Sequence, residues 1–402
     1  MIAPAAIAAI RGALPPLVPG INISIVVAIV GGLLIAAAFL AFVAAHWTEL
    51  ARPMRFAILA AGLIGANGLG AWFAHTGRPV LADLCASVGA IIFGAGIALV
   101  GQMYHLGEDF AGGMLLWSVG AFATAVLTGS RGALAVALAA ASIWSCMRVY
   151  DSADVPHLAF VLFWLIAAGL ALAWHSRVAA HLVALASLPW WIAAALQLGL
   201  ERFQPAFVLA DGAALLFGAG LALAATPWQR AISFGAVLST YGALSLAGVA
   251  ILAVATTNDL FRAVAGSAAS QPLWTILCGV VGAALAFAGA AITRRPGPAF
   301  AGGAIALVLV AAPMWTPPQA GEPWLAYAAM LCAMLCLVMS GMLDATRPRI
   351  VAGWLGIAGV IAAITWVVKG SLLRRSAFLA VAGLVAVALA TALNRLLPRA
   401  DE

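Results

Sequence analysis

Residues 89–109 read GAIIFGAGIALVGQMYHLGED. Nothing ionisable occurs from Gly89 to Gly101, and then Gln102, Tyr104, His105, Glu108 and Asp109 arrive almost together. A bilayer core about 30 Å thick takes about 20 apolar residues per helical crossing, and the run from residue 80 to 101 is one such crossing ending in a polar knot. The whole chain repeats the pattern. Of its 402 residues, 65% are apolar and 8% charged, against roughly 45–50% and 25% in an ordinary soluble domain. Too few polar side chains remain to cover a water-facing surface, whereas a lipid-facing chain needs polarity only in loops and internal sites.

Outward from this stretch, apolar runs between polar or Pro/Gly breaks mark about fourteen spans, giving an all-α, polytopic transmembrane helix bundle. They lie near 21–45, 56–74, 80–101, 111–128, 131–148, 157–174, 178–198, 206–225, 231–254, 273–293, 299–315, 323–343, 349–368 and 376–394. The organisation expected is an N-terminal cytoplasmic or interfacial segment (1–20), a membrane region (21–150), a second membrane region (151–298) and C-terminal membrane helices (299–402). No cleavable signal fits the start, where the first apolar patch precedes Arg11 and three prolines follow. The larger share of the 19 basic residues falls at the N-terminus and in even-numbered loops, which puts both termini in the cytoplasm by the positive-inside rule, although Lys369, Arg374 and Arg375 oppose it. Acidic residues gather on the other side.

The stretch AIIFGAGIAL (90–99) recurs as ALLFGAGLAL (214–223), with seven identities in ten at an offset of 124 residues. On the span count the copies lie on helices of opposite direction, as in a five-plus-five inverted repeat followed by four C-terminal helices. Chance likeness of Ala/Gly/Leu-rich helices is the plain alternative. Stripes of small residues, such as Gly62, Ala66 and Gly70, let helix backbones approach closely and predict a compact bundle.

The polar knot at the edge of its span suits proton relay, metal binding or capture of a cationic group, and equally suits an ordinary interfacial loop. His46 and His157 fall on the same side as His105, which makes these three the weak candidates for a metal, with no HExxH spacing behind them. Asp211, within FVLADGAALLFGAG (207–220), and Asp83 are carboxyls inside apolar runs. Such a group caps backbone N–H groups, pairs, takes up a proton, or serves function; capping is the expectation for Asp83, and Asp211 stands as a substrate or proton candidate. Asn67, in GLIGANGLG (62–70), is expected to bond across helices. Met330, Met334 and Met339 with Cys332 and Cys336 read as core packing before they read as a copper site. Trp190 and Trp191 read as interfacial anchors. The five cysteines lie in apolar segments and form no disulfide framework.

No Walker loop, GxSxG elbow, HExxH or Rossmann fingerprint occurs, and no cofactor is expected. Nor is nucleic acid a partner, since the net charge of +6 belongs to no soluble basic domain.

The segments AFVAAHWTELARPMRFAILAAGL (41–63), GAIIFGAGIALVGQMYHLGEDF (89–110) and LLWSVGAF (115–122) resemble bacterial predicted membrane proteins of domain of unknown function 2157. The resemblance rests on His46 and Trp47, where the family commonly has Asn-Trp, on Arg52 and Arg55 in the following turn, and on Gly101 through Leu106 with Asp109. It implies a multi-pass protein of the bacterial cytoplasmic membrane and makes the knot a family signature, without naming an activity. The leading expectation is a transporter-like protein for a small or amphipathic solute, with Gln102, Tyr104, His105, Glu108, Asp109 and Asp211 as substrate or proton groups. A membrane scaffold that docks a protein partner and an intramembrane metal or redox enzyme are the alternatives. The lipid bilayer is the partner all three share.

Overall fold

The computed structural model describes residues 51–104, 109–151, 157–199, 205–255, 273–311 and 324–367, with four isolated positions at 31, 34, 38 and 41. Twelve helices lie among the described residues: α1 (Arg52–His75), α2 (Pro79–Tyr104), α3 (Phe110–Thr128), α4 (Arg131–Asp151), α5 (Ala159–Ala173), α6 (Arg177–Gly199), α7 (Pro205–Ala224), α8 (Gln229–Ala255), α9 (Leu273–Thr293), α10 (Pro296–Ala311), α11 (Trp324–Leu343) and α12 (Arg347–Val367). Ten are long and apolar enough to cross a membrane; α5 and α10, of 15 and 16 residues, are apolar but shorter. These twelve coincide with the second to thirteenth expected spans. The fourteenth falls outside the described residues, as does the first apart from those four isolated positions.

Short turns follow from local chemistry. Proline opens the first turn of α1, α2, α7, α10 and α12, where a missing N–H costs nothing because it would have no helical partner. The turns after α1, α3, α5, α9 and α11 each contain a residue in the left-handed region: Gly77, Gly129, His175, Arg294 and Ala345. Glycine does this freely. The other three bear the Cβ strain of that conformation. Sequence neighbours α1 with α2, α5 with α6, α7 with α8, α9 with α10 and α11 with α12 pack on one another.

The chain divides into two compact units, Met1–Trp144 and Ser145–Glu402. In the first, α1 and α3 both pack on α2. Gly94 lies under the Trp117 indole and Gly120 under the Phe93 ring, so each helix seats an aromatic side chain on the other's glycine. The Trp117 Nε1 donates to the Ala90 carbonyl at 2.9 Å, which fixes the indole across the two helices. Asn67 does not bond across helices as expected. Its Nδ2 donates to Leu63 O in its own helix at 2.9 Å, with the side chain packed on Gly89 of α2.

In the second unit a fully buried core of Phe217, Leu246, Ile305, Met330, Met334 and Ile364 joins α7, α8, α10, α11 and α12. Met330 and Met334 are core, as their spacing suggested. Along one face of α9, Thr275, Gly279, Gly282, Ala286 and Gly289 are all buried. A Cβ on Gly282 would strike the Ala214 carbonyl and one on Gly218 would strike the Gly282 carbonyl, so α7 and α9 touch backbone to backbone. Trp190 and Trp191 are not surface anchors. Trp190 is buried, stacks on Phe160 at 6.4 Å and donates to His157 O at 3.1 Å, while Trp191 stacks on Trp274 at 6.1 Å.

Around both units the outward side chains are large and apolar: Ile64 is 71% exposed, Leu127 84% and Leu325 79%. In water that surface would drive aggregation; against lipid tails it costs nothing.

Candidate functional site

Two places bring together the residues singled out in the sequence. The first lies in the first unit. Because α1 and α3 stand on either side of α2, a cleft of 1280 Å³ opens between them, floored by Gly96 and Gly101 of α2. Its polar lining includes Gln102 and Asp109, both exposed. Asp109 Oδ1 accepts from Gly112 N at 2.8 Å and so caps α3, while the same glycine gives the carboxylate room to approach. Tyr104 is the last residue of α2; its side chain, together with His105 and Glu108, lies outside the described residues. Of the knot, then, the structure brings Gln102 and Asp109 to one cleft.

The second place is Asp211, in the second turn of α7 and about 9 Å inside the helix start. It is 4% exposed. Its carboxyl lies against Gly279 of α9, where any Cβ would collide with Oδ1, and is hydrogen-bonded to the Thr275 side chain. Thr275 is fully buried one turn before Gly279, so both contacts come from the same face of α9. The second carboxyl oxygen, Oδ2, is buried with no hydrogen-bond partner among the described residues. A polar atom left unbonded in an apolar surrounding costs about 1–3 kcal/mol. Asp211 stands too far along α7 to cap its own helix, and its bonded partner, Thr275, is the third residue of α9.

Residues 5–134 match the family model described as predicted membrane protein (DUF2157). No curated protein and no solved structure matches the chain. The matched stretch contains α1, α2, α3 and the opening of α4, and therefore the whole cleft and Asp83, whereas Asp211 lies beyond it. Family match and apolar helices agree on a multi-pass membrane protein.

Asp83 of this DUF2157-matched region is a cap, though not of its own helix. Its Oδ1 accepts from the Ser130 hydroxyl and, at 3.2 Å, from Gly132 N, and Ser130 Oγ in turn accepts from Ala133 N at 3.0 Å. The carboxylate of α2 thus satisfies the first turn of α4.

Of the three histidines weighed as metal ligands, His46 and His105 lie outside the described residues. His157 is half-buried just ahead of α5, with Nδ1 3.1 Å from Ser145 Oγ. Among the described residues no three His, Cys, Asp or Glu side chains stand together as a metal site.

Sequence reasoning missed one buried ion pair. Arg349 NH1 lies 2.6 Å from Asp344 Oδ2, with the two side chains 7% and 10% exposed. The same nitrogen is 3.4 Å from Ser340 Oγ, and the guanidinium stands 6.0 Å above the Phe217 ring of α7. Asp344 also rests on Gly297 at the start of α10. Both charges flank a short turn and read in sequence as ordinary topology determinants; only the apolar residues around them, on α7 and α10, put them out of water.

Proposed function

We propose that this protein is transporter-like and moves a small or amphipathic solute, with Asp211 as its proton- or substrate-binding group. The observation that supports this reading is Asp211 itself: a carboxyl inside the membrane, 4% exposed, with one oxygen unbonded. Ionisable groups so placed are expensive and mark solute or proton pathways in membrane bundles. Gln102 and Asp109, with Tyr104, His105 and Glu108 beside them in sequence, are the groups that meet solute at the membrane edge. The inverted repeat rests on the likeness of the two FGAG stretches and on the span count that sets them on helices of opposite direction. The reading places the chain in the bacterial cytoplasmic membrane with both termini in the cytoplasm.

Proteoliposomes carrying a luminal pH dye test it. Under an imposed pH gradient, addition of solutes from a panel of small and amphipathic compounds is expected to change the luminal pH for the wild type. Asp211→Asn is expected to match empty liposomes. A panel that moves no protons and no solute with the wild type, while a single protein partner is recovered stoichiometrically from membranes, would replace the carrier by the scaffold.

A further inference from the structure

The cleft of the first unit has a depth, a floor and a polar end that together specify a ligand. Along α2 its lining runs from Ile92 to Gln102. At 1.5 Å per residue this is about 15 Å, half of a hydrocarbon core of about 30 Å, so the cleft reaches from the membrane edge to the midplane and spans one leaflet. Its volume of 1280 Å³ exceeds the roughly 300–1,000 Å³ of ordinary small-molecule pockets. The floor is open: a Cβ on Gly96 or Gly101 would meet no atom within 4 Å. At the deep end stands Trp117, whose one polar atom already donates to Ala90 O, so the indole offers only its apolar surface. Gln102 and Asp109 lie together at the opposite end.

We infer that this cleft binds a single-chain amphiphile taken from one leaflet, with its tail along the glycine floor of α2 and its head at Gln102 and Asp109. A long apolar trough with one polar end is complementary to a molecule with one polar end. The head is a hydrogen-bond donor, an amine or hydroxyl, because a carboxylate, like a phosphate, only accepts, while the Gln102 amide both donates and accepts. This deepens the carrier reading by naming its class of solute.

The test uses the full-length protein in phosphatidylcholine nanodiscs with an alkyl amine bearing a diazirine at the end of its chain. After photolysis, adducts mapped by mass spectrometry are expected on the cleft faces of α1, α2 and α3. An unlabelled alkyl amine or alkanol should compete, and an alkyl phosphate should not. Gly96→Phe, which fills the open floor, is expected to lower labelling by about tenfold or more. Gly169→Phe on α5, where a Cβ also meets nothing within 4 Å, is expected to leave it unchanged. Ala98→Phe serves as the blocking variant if Gly96→Phe does not fold.

Adducts spread over the lipid-facing helices and undiminished by either blocking variant would overturn the inference, as would equal competition by alkyl phosphate. A second copy of the chain found crosslinked across the cleft would overturn it too. Cleft adducts without solute flux would keep the site and remove the carrier, whereas flux without cleft adducts would keep the carrier and remove the site.

Discussion

Arg349 and Asp344 show how a residue's meaning changes once its neighbours are known. Each is a common loop charge in the sequence, yet together they form a pair at 2.6 Å with both side chains nearly out of solvent. Removing one member of such a pair leaves the other buried and uncompensated, so Arg349→Ala is expected to cost about 3–5 kcal/mol, measured by denaturation in mixed micelles. Replacing both, as Arg349→Met with Asp344→Leu, should recover most of that loss. Asp83 behaves more simply. Asp83→Ala removes a cap on α4 and is expected to cost about 1–2 kcal/mol in the same assay. Asp211 was legible because a carboxyl stands out in an apolar run; its partner Thr275 was not, being 64 residues away and ordinary by itself.

Among the elements, the twelve described helices were legible from run length alone, since lipid demands about 20 apolar residues and prolines punctuate the starts. Their pairing was less so. The small-residue stripes predicted close packing everywhere, but Gly65, Gly68 and Gly96 face open space while Gly218 and Gly282 meet backbone. Composition gives the capacity for contact and says nothing of which face receives it. For the α7–α9 seam, Gly282→Val is expected to cost at least about 1–3 kcal/mol, because the obstructing atoms at Ala214 and Leu215 are backbone and cannot swing aside. The turn after α11 predicts the opposite sign. Ala345 holds φ of 52°, so Ala345→Gly should raise stability by about 1 kcal/mol, a gain read as a higher melting temperature. The Trp190–Trp191 pair misled in the other direction. A tryptophan pair after a proline suggests an interface, and only the helices holding Phe160 and Trp274 give these rings their stacking partners.

At the scale of the molecule, the family match and the carboxyl singled out in α7 fall in different parts of the chain. The cleft and its polar end belong to the DUF2157-matched stretch of residues 5–134, and Asp211 to the second unit. Whether one sequence segment or two carry the activity therefore separates the carrier from a protein that merely holds an amphiphile. The class was legible from composition, because 8% charged residues cannot solvate 402. The sites were not, because each needs helices whose order in sequence does not give their order in space. The measurement that decides is proton movement in proteoliposomes driven by an alkyl amine of the kind the cleft accepts, compared between wild type, Gly96→Phe and Asp211→Asn. Amine-dependent change of luminal pH with the wild type, lost in both variants while each remains folded, is the predicted result. An unchanged signal in Asp211→Asn, or none with the wild type, would contradict it.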